Sequence, residues 1–382
     1  MSRPAWIAGV GNTRFGRLEG QDTLDIMSAA AASALADAGY GRGEVDGLLT
    51  GYSTSMPHIM LATLFAEHFG IKPDYCHAIQ LGGATGCALV MLAKLLVESG
   101  QCETVLVVAG ENRLTNPGGR DSAIQTLAQV GHAEFEVPYG GTIPAYYGLL
   151  ASAYMHRYGL TEQDLAEAAV LMRAHAADHP DAHLQDRITV LDVMASRAIA
   201  SPLKFLDCCP ISDGGIAVLV TADPDRSKGI KLAGAGQAHR HQHVSMATDL
   251  SDFGAARAAR QALRQAACDI ESIDMIGIYD SFTITLLILL EEIGFSARGQ
   301  SGFDLRSGRY GRGGRLPLNT HGGLLSFGHS GVAGGMAHLV ELCRQMAGEA
   351  ESRQVARRPG VGFIHGDGGV LSSHVSLVLT QE

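Results

Sequence analysis

A glycine-rich segment near the end of the chain holds a histidine that could bind a developing negative charge. Residues 316–335 read LPLNTHGGLLSFGHSGVAGG and contain His329. Glycine adopts the positive φ that tight turns need and lets backbone N–H groups approach a ligand. A predicted helix follows at 336–346, so the turn lies at a helix N-terminus, where anions are stabilised. The segment predicts an oxyanion site with His329 as a hydrogen-bond donor.

Three further segments carry groups that could do acid–base or nucleophilic chemistry. GGATGC at 82–87 leads into a predicted helix at 88–98 and ends in Cys87, a possible nucleophile. YDSF at 279–282 follows a predicted strand, and Tyr279 is a candidate acid/base if a neighbour lowers its pKa. His365, before GDGG, is a third candidate because histidine titrates near neutrality. For each residue the alternative is a purely structural role, and for Cys87 we favour a packed thiol.

The elements that must position these residues form two similar halves. Predicted strands alternate with helices in the same order twice, and matching positions lie 225 residues apart at Trp6 and Lys231 and 240 apart at Gly82 and Gly322. A slowly growing offset indicates duplication followed by loop insertion. The alternation predicts an α/β fold with a mostly parallel, helix-covered sheet in each half.

The region between the halves differs in composition and is predicted to be an insertion. We assign 1–119 and 207–225 to an N-terminal half, 120–206 to an inserted loop domain and 226–382 to a C-terminal half. The insertion is rich in tyrosine, histidine and arginine, and it could cover a substrate.

Composition restricts the classes of function. The net charge is −10, no basic stripe occurs and no apolar run is long enough to span a membrane, so we expect neither nucleic acid nor a membrane span. The seven cysteines are odd in number and form no C-x-x-C, which argues against disulfides and a metal site in this chain. The first residues lack a signal-peptide pattern, so we expect a cytoplasmic protein.

The motifs in combination resemble the thiolase superfamily, and most closely its lipid-transfer-type branch. The resemblance rests on six segments: GATG at 83–86, SDGGIAVLV at 212–220, YDSFTIT at 279–285, PLNTHGG at 317–323, GHSG at 328–331 and GDGG at 366–369. It implies a duplicated thiolase fold, a five-layered αβαβα sandwich that dimerises through the first-half sheets. It also implies a coenzyme A thioester as substrate, with no cofactor in this chain.

The sequence departs from the thiolase pattern at the catalytic positions. The nucleophilic cysteine of the family falls on Gly83, and Tyr279 stands where the family has histidine or asparagine. The second cysteine falls on or next to His365, whereas the histidine of the Gly-His-Pro turn is kept as His329. These changes resemble the steroid side-chain aldolases, which lack the nucleophile. The resemblance therefore implies a small zinc-ribbon/OB-fold partner, zinc in that partner and a heterotetramer.

The sequence thus predicts retro-aldol cleavage of a bulky β-hydroxyacyl-CoA, with Tyr279 as acid/base and His329 as oxyanion-hole donor. Thiolysis or acyl transfer on a β-ketoacyl-CoA, as in an acetyl-CoA acetyltransferase, and a non-catalytic acyl-CoA-binding or scaffold subunit are the alternatives. The expected substrate-binding residues are Gly83, Gly323, Ser326 and Gly368. Pocket candidates without a ranking are Tyr139, Tyr146, Tyr147 and His321, and candidates for the coenzyme A phosphates are Arg113, Arg120, Arg173 and Arg197.

Overall fold

The computed structural model describes residues 3–382, apart from the side chain of Arg120. The strands are β1 (Trp6–Asn12), β2 (Gly47–Gly51), β3 (Tyr75–Ile79), β4 (Thr104–Asn112), β5 (Ala198–Ala200), β6 (Leu203–Lys204), β7 (Asp213–Thr221), β8 (Ile230–His239), β9 (Met275–Ile278), β10 (Val361–Gly368) and β11 (Ser373–Gln381). The helices are α1 (Thr23–Ala38), α2 (Leu61–Phe69), α3 (Thr85–Glu98), α4 (Gly119–Ala128), α5 (Ile143–Tyr158), α6 (Glu162–Ala176), α7 (Val190–Ala195), α8 (Ala255–Ala266), α9 (Thr283–Ile293), α10 (Ser301–Arg306), α11 (Gly323–Ser326) and α12 (Val332–Ala347).

Nine strands form one mixed sheet in the order β3-β2-β4-β7-β1-β8-β11-β10-β9. The first-half strands join the second-half strands where β1 pairs with β8, at Trp6 with Lys231 and at Ile7 with Ile230. Helices α3 and α12 contact strands from both halves, whereas α1 and α8 pack on the strands of one half each. The predicted α/β class is confirmed.

The prediction of mostly parallel strands was wrong. Only β2/β3, β2/β4 and β9/β10 are parallel, and the other five neighbouring pairs are antiparallel. Parallel neighbours need a crossover connection, commonly a helix. Strand β11 instead follows β10 through a short turn and pairs with it as a hairpin, and β7 enters the sheet from the end of the insertion. The alternation of helices and strands therefore predicted the parallel pairing of the outer strands but not the antiparallel pairing of the central ones.

The two helices beside the glycine turns begin earlier than predicted. Helix α3 starts at Thr85, whose hydroxyl donates to the Gly82 carbonyl at 2.6 Å and accepts from the Leu81 N–H at 2.8 Å. Helix α12 starts at Val332, directly after Gly331, which has a φ of 61°. Each turn therefore runs straight into its helix.

Residues of the predicted insertion lie outside the nine-stranded sheet. They form α4 to α7 and the β5–β6 hairpin, and α5 and α6 pack against α9. Tyr147, Tyr154 and Leu165 share one apolar cluster with Leu287 of α9. This packing fixes Tyr147 above the second half of the sheet.

Candidate functional site

A cavity of about 1100 Å³ opens between the two halves and the segment that follows β4. Its wall is largely apolar, with a few polar side chains converging on one region, the usual composition of a small-molecule site. Those polar groups come from separate elements: Arg113 after β4, Tyr147 in α5, Tyr279 after β9 and His329 before α12. The sequence-distant candidates are therefore brought to one place.

The phenol oxygen of Tyr279 lies 3.0 Å from Nε2 of His329, and both side chains line the cavity. Backbone hydrogen bonds hold each residue. The Tyr279 N–H donates to the His365 carbonyl at 3.0 Å, and the His329 N–H donates to the Pro210 carbonyl at 3.1 Å. Because neighbouring strands and turns fix both backbones, the pair is positioned before any ligand binds.

Asp280 and His338 support the strand end that carries Tyr279. The Asp280 carboxylate accepts from the Leu324 N–H at 2.7 Å, and Nε2 of His338 donates to the Ile278 carbonyl at 2.8 Å. Asp280 is fully buried and His338 nearly so. These contacts assign Asp280 a structural role at the turn, as expected for a carboxylate that bonds nearby backbone.

Burial keeps both members of the pair uncharged at neutral pH. The pKa of Tyr279 is raised well above its usual value, chiefly by burial and then by Tyr147 and Asp367. The pKa of His329 is lowered to about 3 by burial and then by the nearby Arg113 charge. The condition expected for Tyr279, a neighbour that lowers its pKa, is therefore not met.

Gly83 is the only residue type that fits its position. A β-carbon there would lie 2.2 Å from the Tyr279 phenol oxygen and 2.4 Å from the Asp367 carbonyl oxygen. Real β-carbons do not approach other atoms so closely, so any side chain at residue 83 would displace Tyr279 or the β10 backbone. The position of Tyr279 therefore depends on the absence of a side chain, and so of a nucleophile, at residue 83.

Cys87 lies in the interior rather than in the cavity wall. Its thiol faces Gly366, where a β-carbon would be 3.0 Å from Sγ. Burial raises the pKa of Cys87 to about 12. Two other cysteines, Cys208 and Cys209, do line the cavity, and burial raises the pKa of Cys209. The sequence signal for them was their position four and three residues before the SDGG motif at 212–215.

His365 does not reach the cavity. Its Nδ1 lies 2.8 Å from the Ser376 hydroxyl and its Nε2 lies 3.1 Å from Nδ1 of His374. The ring is fully buried, and its pKa is lowered well below its usual value by burial and by His374. Its backbone carbonyl, which accepts from Tyr279, is its link to the site.

The four predicted substrate-binding residues divide into two groups. Gly83 and Gly368 line the cavity, whereas Gly323 and Ser326 do not. A β-carbon at Gly323 would lie 1.9 Å from an Asp280 carboxylate oxygen, so this glycine allows the turn to close. Ser326 accepts a hydrogen bond from Nε of Arg173 at 3.1 Å.

The unranked tyrosine and histidine candidates also separate. Tyr147 lines the cavity and donates to Oδ2 of Asp367 at 3.0 Å, whereas Tyr146 and His321 are buried outside the wall. Tyr139 is 85% exposed. Asp367, which the sequence analysis left unassigned, is buried, and burial raises its pKa well above its usual value.

The arginine candidates lie in three settings. Arg113 and Arg173 line the cavity, and both are buried. Arg197 is exposed, with its guanidinium 6.0 Å from the centre of the Phe205 ring. The side chain of Arg120 lies outside the described residues. Within residues 3–382 no group of three or more His, Cys, Asp or Glu side chains is arranged to hold a metal, and no helix there is long and apolar enough to cross a membrane.

Family models match both parts of the chain. The model described as thiolase, N-terminal domain covers residues 5–223, and the one described as thiolase C-terminal domain-like covers residues 236–381. The chain belongs to the thiolase family. Its fold is accordingly the thiolase fold, and the resemblance drawn from the sequence motifs is confirmed.

The relatives of this thiolase-family chain include proteins described as acyltransferases and proteins described as aldolases. It is 30% identical to an acetyl-CoA acetyltransferase of Methanothermobacter thermautotrophicus, over 98% of this chain and 99% of that protein. It is 33% identical to a steroid side-chain-cleaving aldolase of Thermomonospora curvata, over 89% of this chain and 90% of that protein. A solved structure described as Ltp2-ChsH2(DUF35) aldolase matches with a TM-score of 0.85 and 31% identity, over 99% of this chain and 98% of that chain. The prediction that the chain is an enzyme is confirmed.

Proposed function

We propose that this enzyme cleaves the Cα–Cβ bond of a bulky β-hydroxyacyl-CoA by a retro-aldol reaction. The observation that carries the proposal is the position of Tyr279. Its phenol oxygen fills the space in which a side chain at residue 83 would begin, and it contacts His329 at 3.0 Å. An acid/base pair thus stands where a covalent nucleophile would have to stand.

The reaction needs proton transfer but no acyl-enzyme. Tyr279 takes the β-hydroxyl proton of the substrate while its own proton passes to Nε2 of His329. The Cα–Cβ bond breaks, its electron pair forms the thioester enolate, and the β-carbon becomes a carbonyl. The proton then returns through Tyr279 to Cα, so the products are an aldehyde or ketone and a shortened acyl-CoA.

His329 is a weak base, which suits a residue that holds the proton only during cleavage. An isolated imidazolium is disfavoured in this buried site, where the pKa of His329 is about 3. During cleavage the imidazolium and the enolate form together, so the cavity gains no net charge. This assignment differs from the oxyanion donation predicted for His329, because its Nε2 already contacts Tyr279.

The cavity supports a bulky acyl group. Its volume of about 1100 Å³ exceeds the usual range of drug-sized pockets, and apolar residues such as Ile124, Leu127 and Phe282 contribute to its wall. The likeness to the steroid side-chain-cleaving aldolase supports the same class of substrate. Membership of the thiolase family supports a coenzyme A thioester as the substrate.

We also infer that the enzyme forms a homodimer and binds a DUF35-type partner subunit. Strand β3 lies at one end of the sheet, with His77 and Ala78 exposed, and such an edge can pair with a second copy. The similar solved structure joins Ltp2 with ChsH2(DUF35), which supports a partner. Zinc in that partner stays a prediction. Light scattering of the chain alone and of the chain co-expressed with a DUF35 protein tests both assemblies.

The proposed reaction is tested by product analysis. The enzyme, alone and with a DUF35 protein, is incubated with CoA thioesters that carry a β-hydroxyl and an aryl or polycyclic group at Cβ. Mass spectrometry should detect the carbonyl product and the acyl-CoA shortened at the Cα–Cβ bond. If β-hydroxyacyl-CoAs stay intact in both preparations, the proposal is wrong.

Acyl transfer is the second candidate, and the likeness to the acetyl-CoA acetyltransferase favours it. Thiolysis of a β-ketoacyl-CoA by added coenzyme A would need a nucleophile other than residue 83. The matching test supplies β-ketoacyl-CoA with free coenzyme A. Turnover of this substrate, together with inactivation by iodoacetamide at a single cysteine, would favour acyl transfer over the lyase.

A further inference from the structure

Arg113 brings a buried cation to the wall of the cavity. Its side chain is 4% exposed and lines the cavity together with Tyr279, His329 and Gly331. A β-carbon at Gly331 would lie 1.9 Å from Oε1 of Glu111 and 2.9 Å from Nη2 of Arg113, so this ion pair lies directly beside the turn that carries His329. It is also close enough to lower the pKa of His329.

The fixed contacts of Arg113 leave part of its donor capacity unused. Nε donates to the Thr54 hydroxyl at 3.0 Å, and Nη2 donates to Oε1 of Glu111 at 3.1 Å. A guanidinium has five N–H donors, and the hydrogen bonds found among residues 3–382 use two of them. Neither of these two hydrogen bonds involves Nη1, and Arg113 lines the cavity. The remaining donors are available to a ligand in the cavity.

Glu111 orients Arg113, and hydrogen bonds from other groups also stabilise the charge of the Glu111 carboxylate. Oε2 accepts from the Thr54 N–H at 2.7 Å, the Thr54 hydroxyl at 2.5 Å and the Ser55 N–H at 3.2 Å. Three of its four hydrogen bonds therefore come from groups other than Arg113. Glu111 itself is 1% exposed and does not line the cavity, so a ligand would meet the guanidinium and not the carboxylate.

We propose that Arg113 is a catalytic residue that binds the thioester oxygen as it becomes an enolate. This inference rests on the proposed retro-aldol function and supplies what that reaction still needs. His329 serves Tyr279 through Nε2, so a separate donor must hold the oxyanion. A preoriented cation in a water-poor cavity gains strength as negative charge develops, because it does not need to reorganise. As the Cα–Cβ bond breaks, its electron pair moves onto the oxygen that Arg113 faces.

A second buried ion pair provides a matched control. Nη2 of Arg353 donates to Oε2 of Glu341 at 3.2 Å, and the arginine side chain is again 4% exposed. Arg353 does not line the cavity. Arg113→Gln and Arg353→Gln therefore remove comparable buried charges, one inside the site and one outside it.

The experiment measures two reactions of R113Q, R113K, R353Q and wild-type enzyme. The first is cleavage of an aryl β-hydroxyacyl-CoA, and the second is exchange of the Cα hydrogens of acetyl-CoA in D2O, which needs the enolate but no C–C cleavage. We expect R113Q to lose about 10²- to 10³-fold in kcat and a similar factor in exchange, with a smaller change in KM. R113K should recover part of the loss. R353Q, corrected for folded fraction, should keep both rates close to those of wild type.

The two proposals fail in different ways. If wild-type enzyme cleaves the β-hydroxyacyl-CoA and R113Q has the same kcat, with or without a changed KM, Arg113 does not hold the enolate. The lyase function then stands. If wild-type enzyme cleaves no β-hydroxyacyl-CoA but exchanges Cα hydrogen, the lyase proposal fails and the R113Q exchange rate still decides the role of Arg113. If neither reaction occurs, both proposals are overturned.

Discussion

The phenol oxygen of Tyr279 occupies the space into which a side chain on residue 83 would project, so Tyr279 keeps its position only because residue 83 is Gly83. A β-carbon on residue 83 would lie 2.2 Å from that oxygen. In a thiolase-family chain this position is the one from which a nucleophilic cysteine would project. The structure therefore couples the absence of a side chain at residue 83 to the presence of the Tyr279 phenol, the proposed acid/base group. The following predictions derive from that coupling and its surroundings.

Gly83→Ala should disable the site without adding any chemistry. The new methyl group forces Tyr279 or the Asp367 backbone to move, and overpacking of this kind costs about 1–3 kcal/mol of folding free energy. We expect kcat to fall by at least about 10²-fold, since misplaced acid/base groups lose most of their effect. Gly43→Ala is the control because a β-carbon at Gly43 meets no atom within 4 Å. Full activity in the G83A variant would contradict the coupling.

Tyr279 and His329 should behave as one unit. Tyr279→Phe and His329→Ala each remove the proton path, and we expect kcat to drop about 10²- to 10⁴-fold in either variant. The double variant should lose little more than the worse single variant, because residues of one catalytic unit are strongly non-additive. Kinetics of the three variants measure this directly. Losses that multiply in the double variant would mean that the two residues act independently.

The pH dependence of kcat should be nearly flat between about pH 5 and 9. Burial lowers the pKa of His329 to about 3 and raises that of Tyr279 well above its usual value, so neither group changes its charge in this window. Activity should fall only towards the acid limit, as His329 is protonated, and towards the alkaline limit, as Tyr279 ionises. A bell-shaped profile centred near pH 7 would assign the catalytic proton transfer to other groups.

Stability should decrease as the pH falls from 6.5 towards 4. The folded-state pKa is about 4 for His175, His179 and His374 and about 3 for His329, all lowered mainly by burial from 6.5. The unfolded chain therefore binds protons in this window that the folded chain does not. The stability linked to these histidines is fully present above pH 6.5 and is lost as the pH falls through the window, by about 1.4 kcal/mol per proton and pH unit.

Four buried carboxyl groups oppose this trend. Burial raises the pKa of Asp207, Asp280, Glu292 and Asp367, which favours the folded chain at low pH. The histidines with lowered pKa values outnumber them, because burial also lowers the pKa of His183, His241, His321 and His365. Urea unfolding at several pH values gives the net proton uptake. His374→Gln should reduce that uptake by about one proton. Equal slopes for wild type and H374Q would remove His374 from the explanation.

Cys87 should be dispensable and unreactive. The thiolate is the reactive form, and a pKa of about 12 leaves almost none at pH 8. We expect Cys87→Ala to retain kcat within several-fold and iodoacetamide to leave Cys87 unlabelled in the folded enzyme, as read by peptide mass spectrometry. The unfolded enzyme is the positive control for labelling. Loss of activity in step with Cys87 alkylation would restore the covalent mechanism.

The sequence was sufficient for the fold class, because strand and helix patterns repeat in both halves and the glycine motifs are specific in combination. It also selected Tyr279 and His329, which the structure brings into contact. The antiparallel central strands were missed, since the direction in which β7 and β11 enter the sheet depends on chain path and not on residue pattern. The upward shift in the Tyr279 pKa was missed because it depends on burial and on Tyr147 and Asp367, which come from distant segments.

It was harder to predict from the sequence which residues line the cavity than which side chains carry suitable functional groups. His365 has the right side chain, but the period-two alternation of β10 turns it towards Ser376 and His374. Gly323 and Ser326 belong to a glycine motif that shapes a turn beside the site. Arg113 was considered only for phosphate binding, since nothing in the sequence indicates that Glu111 and Thr54 hold its guanidinium at the cavity wall.

The most direct test of the central claim compares wild-type enzyme and Tyr279→Phe on one aryl β-hydroxyacyl-CoA, with products identified by mass spectrometry. The account predicts that wild type releases the aryl carbonyl compound and a shortened acyl-CoA with no acylated protein, and that the folded Y279F variant loses this cleavage by at least about 10²-fold. Cleavage by Y279F at the wild-type rate, or an acyl group found on a cysteine of the wild-type enzyme, would contradict it.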